Sequence, residues 1–131
     1  MDTRSKILVE GPAWPDFPRP LAVATGYFDV LRAEHARELW QARRASGAAT
    51  LVAIVLRRPG ELLSLRARAE LVAALRAVDW VVCAGATGTD EYKTLRPDYV
   101  VRLEEGDERR SRELRERVVT TTTPAGTVRE A

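Results

Sequence analysis

Four short apolar runs, none alternating with polar residues, most constrain what this chain can fold into: 21–27 (LAVATGY), 50–56 (TLVAIVL), 79–84 (DWVVCA) and 98–103 (DYVVRL). A strand with one wet face alternates apolar and polar side chains. Continuous apolar character instead marks a strand covered on both faces. Segments of helical pattern separate the runs. Residues 33–45 carry Ala36, Leu39, Trp40 and Ala42 and are followed by Gly47 as a C-terminal cap. Residues 65–78 set Leu65, Ala69, Val72, Ala73 and Ala77 along one stripe. Strands alternating with helices predict an α/β, three-layer αβα, Rossmann-like fold with a parallel sheet and residues 21–27 as its central strand. A short helix is expected at 90–95, a charged helix at 107–117, and a fifth strand at 118–122.

The 131 residues match one ordinary domain, with no internal repeat. Residues 1–20 read as an extended arm, because Pro12, Pro15, Pro18 and Pro20 fix φ and withhold backbone donors. Trp14 and Phe17 would be wasted on a free tail and are expected to pin the arm to the domain or to a second subunit. The folded domain then spans 21–123, with a frayed tail at 124–131.

Composition excludes several classes. No apolar run approaches the roughly 18 residues of a membrane span. The polar start, 1–6, followed by only three apolar residues, is unlike an export signal. With a single cysteine, Cys83, no internal disulfide can form, so the expectation is a cytoplasmic protein. One histidine and one cysteine, far apart, rule against a structural zinc site, and no metal ligand is assigned. Twenty-one basic and 19 acidic residues, net +2, are too balanced to indicate nucleic acid by charge. Neither nucleic acid nor membrane is expected as a partner.

In doubly wound folds ligands sit at the carboxyl ends of the strands. The first long apolar run ends at Thr25-Gly26-Tyr27-Phe28-Asp29, and a helix follows almost at once. Gly26 lets backbone come close to a phosphate, and the helix start offers free N–H groups. The plainer reading is a tight turn with Phe28 tucked into the core; both stand at this level.

The wider stretch Ala24-Thr25-Gly26-Tyr27-Phe28-Asp29-Val30-Leu31-Arg32-Ala33-Glu34-His35 resembles the signature of the cytidylyltransferase-like nucleotidyltransferases, Gly-x-Phe-Asp-x-x-His-x-Gly-His. Residues 68–82 (RAELVAALRAVDWVV) look like a helix and strand of the heptose-phosphate adenylyltransferases and their glycerol-3-phosphate cytidylyltransferase relatives. Arg96-Pro97-Asp98-Tyr99-Val100-Val101-Arg102 resembles the family's Pro-Asp strand. The likeness covers residues 21–118. It implies transfer of a nucleotidyl group from CTP or ATP, with Mg2+, to a phosphorylated alcohol or sugar, releasing pyrophosphate by in-line attack. The site is expected at Thr25, Gly26, Tyr27 and Phe28, with Arg32 and His35 at the two histidine positions of the signature; Arg57, Arg58 and Arg102 join it by their place at strand ends, and a homodimer is expected.

Here the pattern is degenerate. Arg32 stands at the first histidine and Glu34 at the glycine; only the second histidine survives, as His35. A guanidinium binds phosphate well. A carboxylate at 34 does not: at an effective dielectric of ~20, like charges ~4 Å apart repel by about 4 kcal/mol. His35 is either a phosphate ligand or a packing and capping residue. The loop after the second run is shortened, passing straight from Leu56 to Arg57-Arg58-Pro59; those arginines either meet phosphates or form a solvated turn. Thr120–Thr123 only echoes the family's Ser-Thr-Thr segment, and Pro124 interrupts any helix there. The expected function is a nucleotide- or phosphate-binding protein with lost or weakened catalysis. The alternatives are an active, divergent nucleotidyltransferase and a structural partner with an empty pocket.

Overall fold

The computed structural model describes residues 2–8, 14–84 and 94–104, with the single positions 106, 109 and 112. A 3-10 turn, Thr3–Lys6, leads into β1 (Ile7–Leu8). There follow β2 (Leu21–Gly26), α1 (Ala33–Ser46), β3 (Thr50–Val55), α2 (Leu65–Ala73), β4 (Trp80–Cys83) and β5 (Tyr99–Arg102). The strands make one five-stranded sheet in the order β1-β4-β3-β2-β5, with every neighbouring pair parallel. This is an α/β, Rossmann-like fold. β2 lies inside the sheet between β3 and β5, although the middle place belongs to β3.

The fifth strand is β1, inside the segment read as an arm. The strand expected at 118–122 lies outside the described residues, as does most of the short helix expected at 90–95. β1 pairs Ile7 with Val81 and Leu8 with Val82, and the Lys6 ammonium beside it donates 2.9 Å to the Val78 carbonyl. α1 ends at Gly47, whose φ of 63° is the left-handed conformation that glycine enters without a Cβ clash. α2 stops at Ala73 rather than at 78. Ala77 and Val78 stay buried after the helix has ended, so their apolar spacing marked burial, not helix length.

Side chains of successive strand residues point to opposite faces, and both faces are covered. Ala22, Ala24, Leu51, Ala53, Val55 and Val81 pack with Leu39 of α1 and Val72 of α2, so both helices cover one face. Leu21, Val23, Val52, Ile54 and Val82 face the other way, against Phe17, Leu95 and Trp14. Phe17 is 7% exposed, and its ring stands 6.0 Å from that of Trp80. The proline-rich segment therefore packs on its own domain through its aromatics. Among the described residues, no helix is long and apolar enough to cross a membrane.

The amino edge of the sheet repeats one device. Asp79, just before β4, accepts a 2.8 Å hydrogen bond from the Leu51 N–H on β3 and a 2.6 Å contact from Arg43. Asp98, just before β5, accepts 2.7 Å from the Leu21 N–H on β2 and 3.1 Å from Arg19. Each carboxylate thus supplies an acceptor to an N–H in the first two residues of a neighbouring strand. Those bonds, the Leu21 N–H first and Arg19 second, hold the Asp98 carboxyl below the usual carboxylate range.

Candidate functional site at the carboxyl edge of the sheet

The chain steps from β2 to β3 to β4, then returns to lay β5 on the far side of β2. The order reverses between β2 and β5. Open parallel sheets bind ligands outside the carboxyl ends of the strands at such a reversal. Thr25 and Arg102 are paired there, and Gly26 ends β2 one residue later. The Thr25 hydroxyl does not point to a free cleft. It donates 2.7 Å to the Glu104 carboxylate, which brings an acid to the reversal.

After β2 the chain must turn sharply into α1. Phe28 takes φ of 50°, which is costly for a bulky side chain. Its ring is fully buried in the helix-side core, 5.4 Å from the His35 ring. That fits the plainer reading of Phe28 as core. Arg32 is the N-cap residue, with extended φ and ψ. His35, 2% exposed, reaches back so that its Nδ1 accepts 3.0 Å from the Arg32 N–H. This is the reach-back half of a capping box made by an imidazole. Glu34 is exposed in the first turn of α1, where the helix dipole favours a carboxylate.

Asp29, the acid of the Gly-x-Phe-Asp stretch, is buried and faces the loop after β3. Its carboxylate accepts from the Leu62 N–H at 2.9 Å and the Leu63 N–H at 3.1 Å. Arg68 of α2 grips the same loop from below. It is fully buried, donating 2.8 Å to the Tyr27 carbonyl, 2.7 Å to the Leu56 carbonyl and 3.1 Å to the Leu63 carbonyl. Its remaining arm pairs with the Glu61 carboxylate. One guanidinium therefore joins the ends of β2 and β3 to the loop between β3 and α2. Above it, the Arg58 guanidinium lies 5.2 Å from the centre of the Tyr27 ring, a cation–π contact.

By position, the expected site residues gather at one edge: Thr25, Gly26, Tyr27 and Phe28 at the end of β2, Arg32 and His35 at the start of α1, Arg57 and Arg58 after β3, and Arg102 ending β5. By side chain they divide. Arg57 and Arg102 are exposed, whereas Phe28 and His35 are buried and the Thr25 hydroxyl is engaged by Glu104. Sequence reasoning gave no role to Asp29, Glu61, Arg68 or Glu104. A signal for Arg68 existed: it sits three residues after Leu65 and four before Val72, on the buried stripe of α2. A charge on such a stripe needs buried partners. Nothing comparable flagged Glu61 or Glu104.

No family model matches the chain, and no curated protein matches it. Solved structures do. One is the lipopolysaccharide core biosynthesis protein from Thermoplasma volcanium GSS1, 24% identical, covering 61% of this chain and 70% of that one at a TM-score of 0.52. The likeness is one of fold, and it agrees with the five-stranded parallel sheet.

Proposed function

We propose that this protein binds a nucleotide or a phosphorylated small molecule at the carboxyl edge of its sheet, on a nucleotidyltransferase-type fold whose catalysis is lost or weakened. The observation carrying this reading is that α1 starts soon after the end of β2, the strand beside β5 at the chain reversal. Arg32, Arg57, Arg58 and Arg102 all belong to that edge. A helix start and several guanidiniums form a natural anion site. The resemblance to the Gly-x-Phe-Asp signature and the fold of the lipopolysaccharide core biosynthesis protein support it further.

Weakened catalysis follows from how the donors and charges are used. His35 consumes the Arg32 N–H, one of the groups an anion at the helix start would want. Glu34 and Glu104 add negative charge near the reversal. A working, divergent enzyme is the second reading, favoured by one observation. Nδ1 of His35 accepts the Arg32 N–H, which leaves Nε2 as the donor of the ring that stands at the signature's second histidine. Its acceptor class would be a phosphorylated sugar or alcohol. Among the described residues no cluster of three or more His, Cys, Asp or Glu could hold a metal ion. Mg2+ would come on the oxygens of CTP or ATP. We take a homodimer as the accompanying assembly.

The test is calorimetric titration with CTP and ATP, paired with a pyrophosphate-release assay, on the native chain and on a double variant, Arg32→His with Glu34→Gly. Tighter binding by the variant, with no turnover by the native chain, is the expected result. Turnover by the native chain that drops in the variant establishes the second reading. Absence of binding by both forms overturns the two readings together.

A further inference from the structure

Arg68 is a buried cation whose neutral acceptors, the Tyr27, Leu56 and Leu63 carbonyls, satisfy its N–H groups without cancelling its charge. Glu61 supplies the counter-charge. The two partners are unequally placed: the Arg68 side chain is 0% exposed and that of Glu61 is 26% exposed. Glu61 thus stands between the guanidinium and solvent, at the edge where β2 and β3 end. Nε and Nη1 are spent on carbonyls, so Nη2 alone meets the carboxylate, and a phosphate oxygen can take that charge-assisted bond as a carboxylate oxygen does. A buried charge tolerates exchange of its counter-ion far better than loss of it.

We propose that Glu61 is a built-in counter-anion, holding the outward edge of Arg68 until a phosphate group displaces it. The proposal rests on the phosphate-binding reading above and adds how that site is regulated. The closing loop is suited to such an exchange. Its backbone is held by Asp29 through the Leu62 and Leu63 N–H groups, independently of Glu61. When Glu61 swings away it gives up the Arg58 N–H at 3.5 Å as well as the Arg68 arm, while the two Asp29 bonds keep Leu62 and Leu63 in place. The loop then presents Arg68 rather than a neutralised pair. The native chain is self-inhibited towards anions, and affinity rises when the internal acid is removed.

The experiment compares the native chain with Glu61→Gln, which keeps size and hydrogen bonding but removes the charge, and with Glu61→Asp, which keeps the charge on a shorter stem. Each is titrated with inorganic phosphate, pyrophosphate and ATP by calorimetry and thermal shift, at ionic strength matched with chloride. Expected is about tenfold tighter pyrophosphate and ATP binding by Glu61→Gln, with Glu61→Asp gaining less, since only the full loss of charge removes the competitor. In Glu61→Gln, the same anions should raise the melting temperature well above the response of the native chain. A gain with inorganic phosphate as large as with pyrophosphate assigns a one-phosphate subsite; a gain with the longer anions alone assigns a polyphosphate one. Equal affinities in the native chain and both variants overturn the proposal while leaving the phosphate-binding reading intact. No binding by any form overturns both.

Discussion

His35 accepts a 3.0 Å hydrogen bond from the Arg32 N–H through Nδ1 and returns its own N–H to the Arg32 carbonyl at 3.0 Å. The two residues at the histidine positions of the resembling signature are thus engaged with each other. His35→Ala removes a buried ring and the reach-back to the N-cap, and should lower stability by about 2–3 kcal/mol. Urea unfolding followed by helical circular dichroism measures it; a loss under half a kcal/mol means that the ring contributes nothing to the start of α1.

Arg68→Met strips donors from the Tyr27, Leu56 and Leu63 carbonyls at once and leaves Glu61 without its partner. Breaking a buried charged network costs about 3–5 kcal/mol, and the shorter Met chain, which has no donors, cannot restore the bonds. Arg68→Lys should recover only part of that, because one ammonium cannot reach acceptors spread around a planar fork. Equilibrium denaturation midpoints of the three proteins should fall in the order Arg, Lys, Met.

At Phe28, two effects oppose each other. Glycine would relieve the left-handed backbone, worth about 1–2 kcal/mol. Emptying a fully buried phenyl site costs about 3–5 kcal/mol. Burial wins, so Phe28→Gly should destabilise by about 2 kcal/mol net. A stabilised glycine variant in thermal melts would show the strain to outweigh the packing.

Asp98 carries a pH signature. Its folded carboxyl is held down, first by the Leu21 N–H and then by Arg19. A group lowered on folding contributes stability above its unfolded value, near 3.9, and loses it as pH falls through the lower folded value. Asp98→Asn should therefore lower stability at neutral pH and flatten the acid limb below about pH 4. Stability measured from pH 7 to pH 2 in both proteins checks it; parallel curves would contradict the assignment.

What the sequence made legible was whatever repeats. Runs at 21–27, 50–56, 79–84 and 98–103 became strands because continuous apolar character has one physical cause, burial on both faces. Gly47 was legible as a cap because only its backbone freedom matters there. Ile7–Leu8 was not, since two residues hold no period and their pairing with Val81 and Val82 spans the domain. The gathering of Arg32, His35, Arg57 and Arg102 at one edge followed from strand ends alone. The partnerships of Asp29 with Leu62 and of Arg68 with Tyr27 did not, because they join residues 33 and 41 positions apart. A carboxylate's partner cannot be read from its neighbours in the chain.

The aspartates before β4 and β5 both sit at the amino edge, and the loops that could meet a ligand all lie at the other. Strand alignment is therefore gauged by these two carboxylates at one end of the sheet, while at the opposite end Arg68 and Asp29 tie the ends of β2 and β3 to a single loop. The 57–64 connection is thus a costly place to add or delete residues, since Glu61, Leu62 and Leu63 each meet a buried partner there. A lineage, or a protein engineer, would find the connection after β3 expensive to rebuild, because that loop is stitched into the core rather than hung from it.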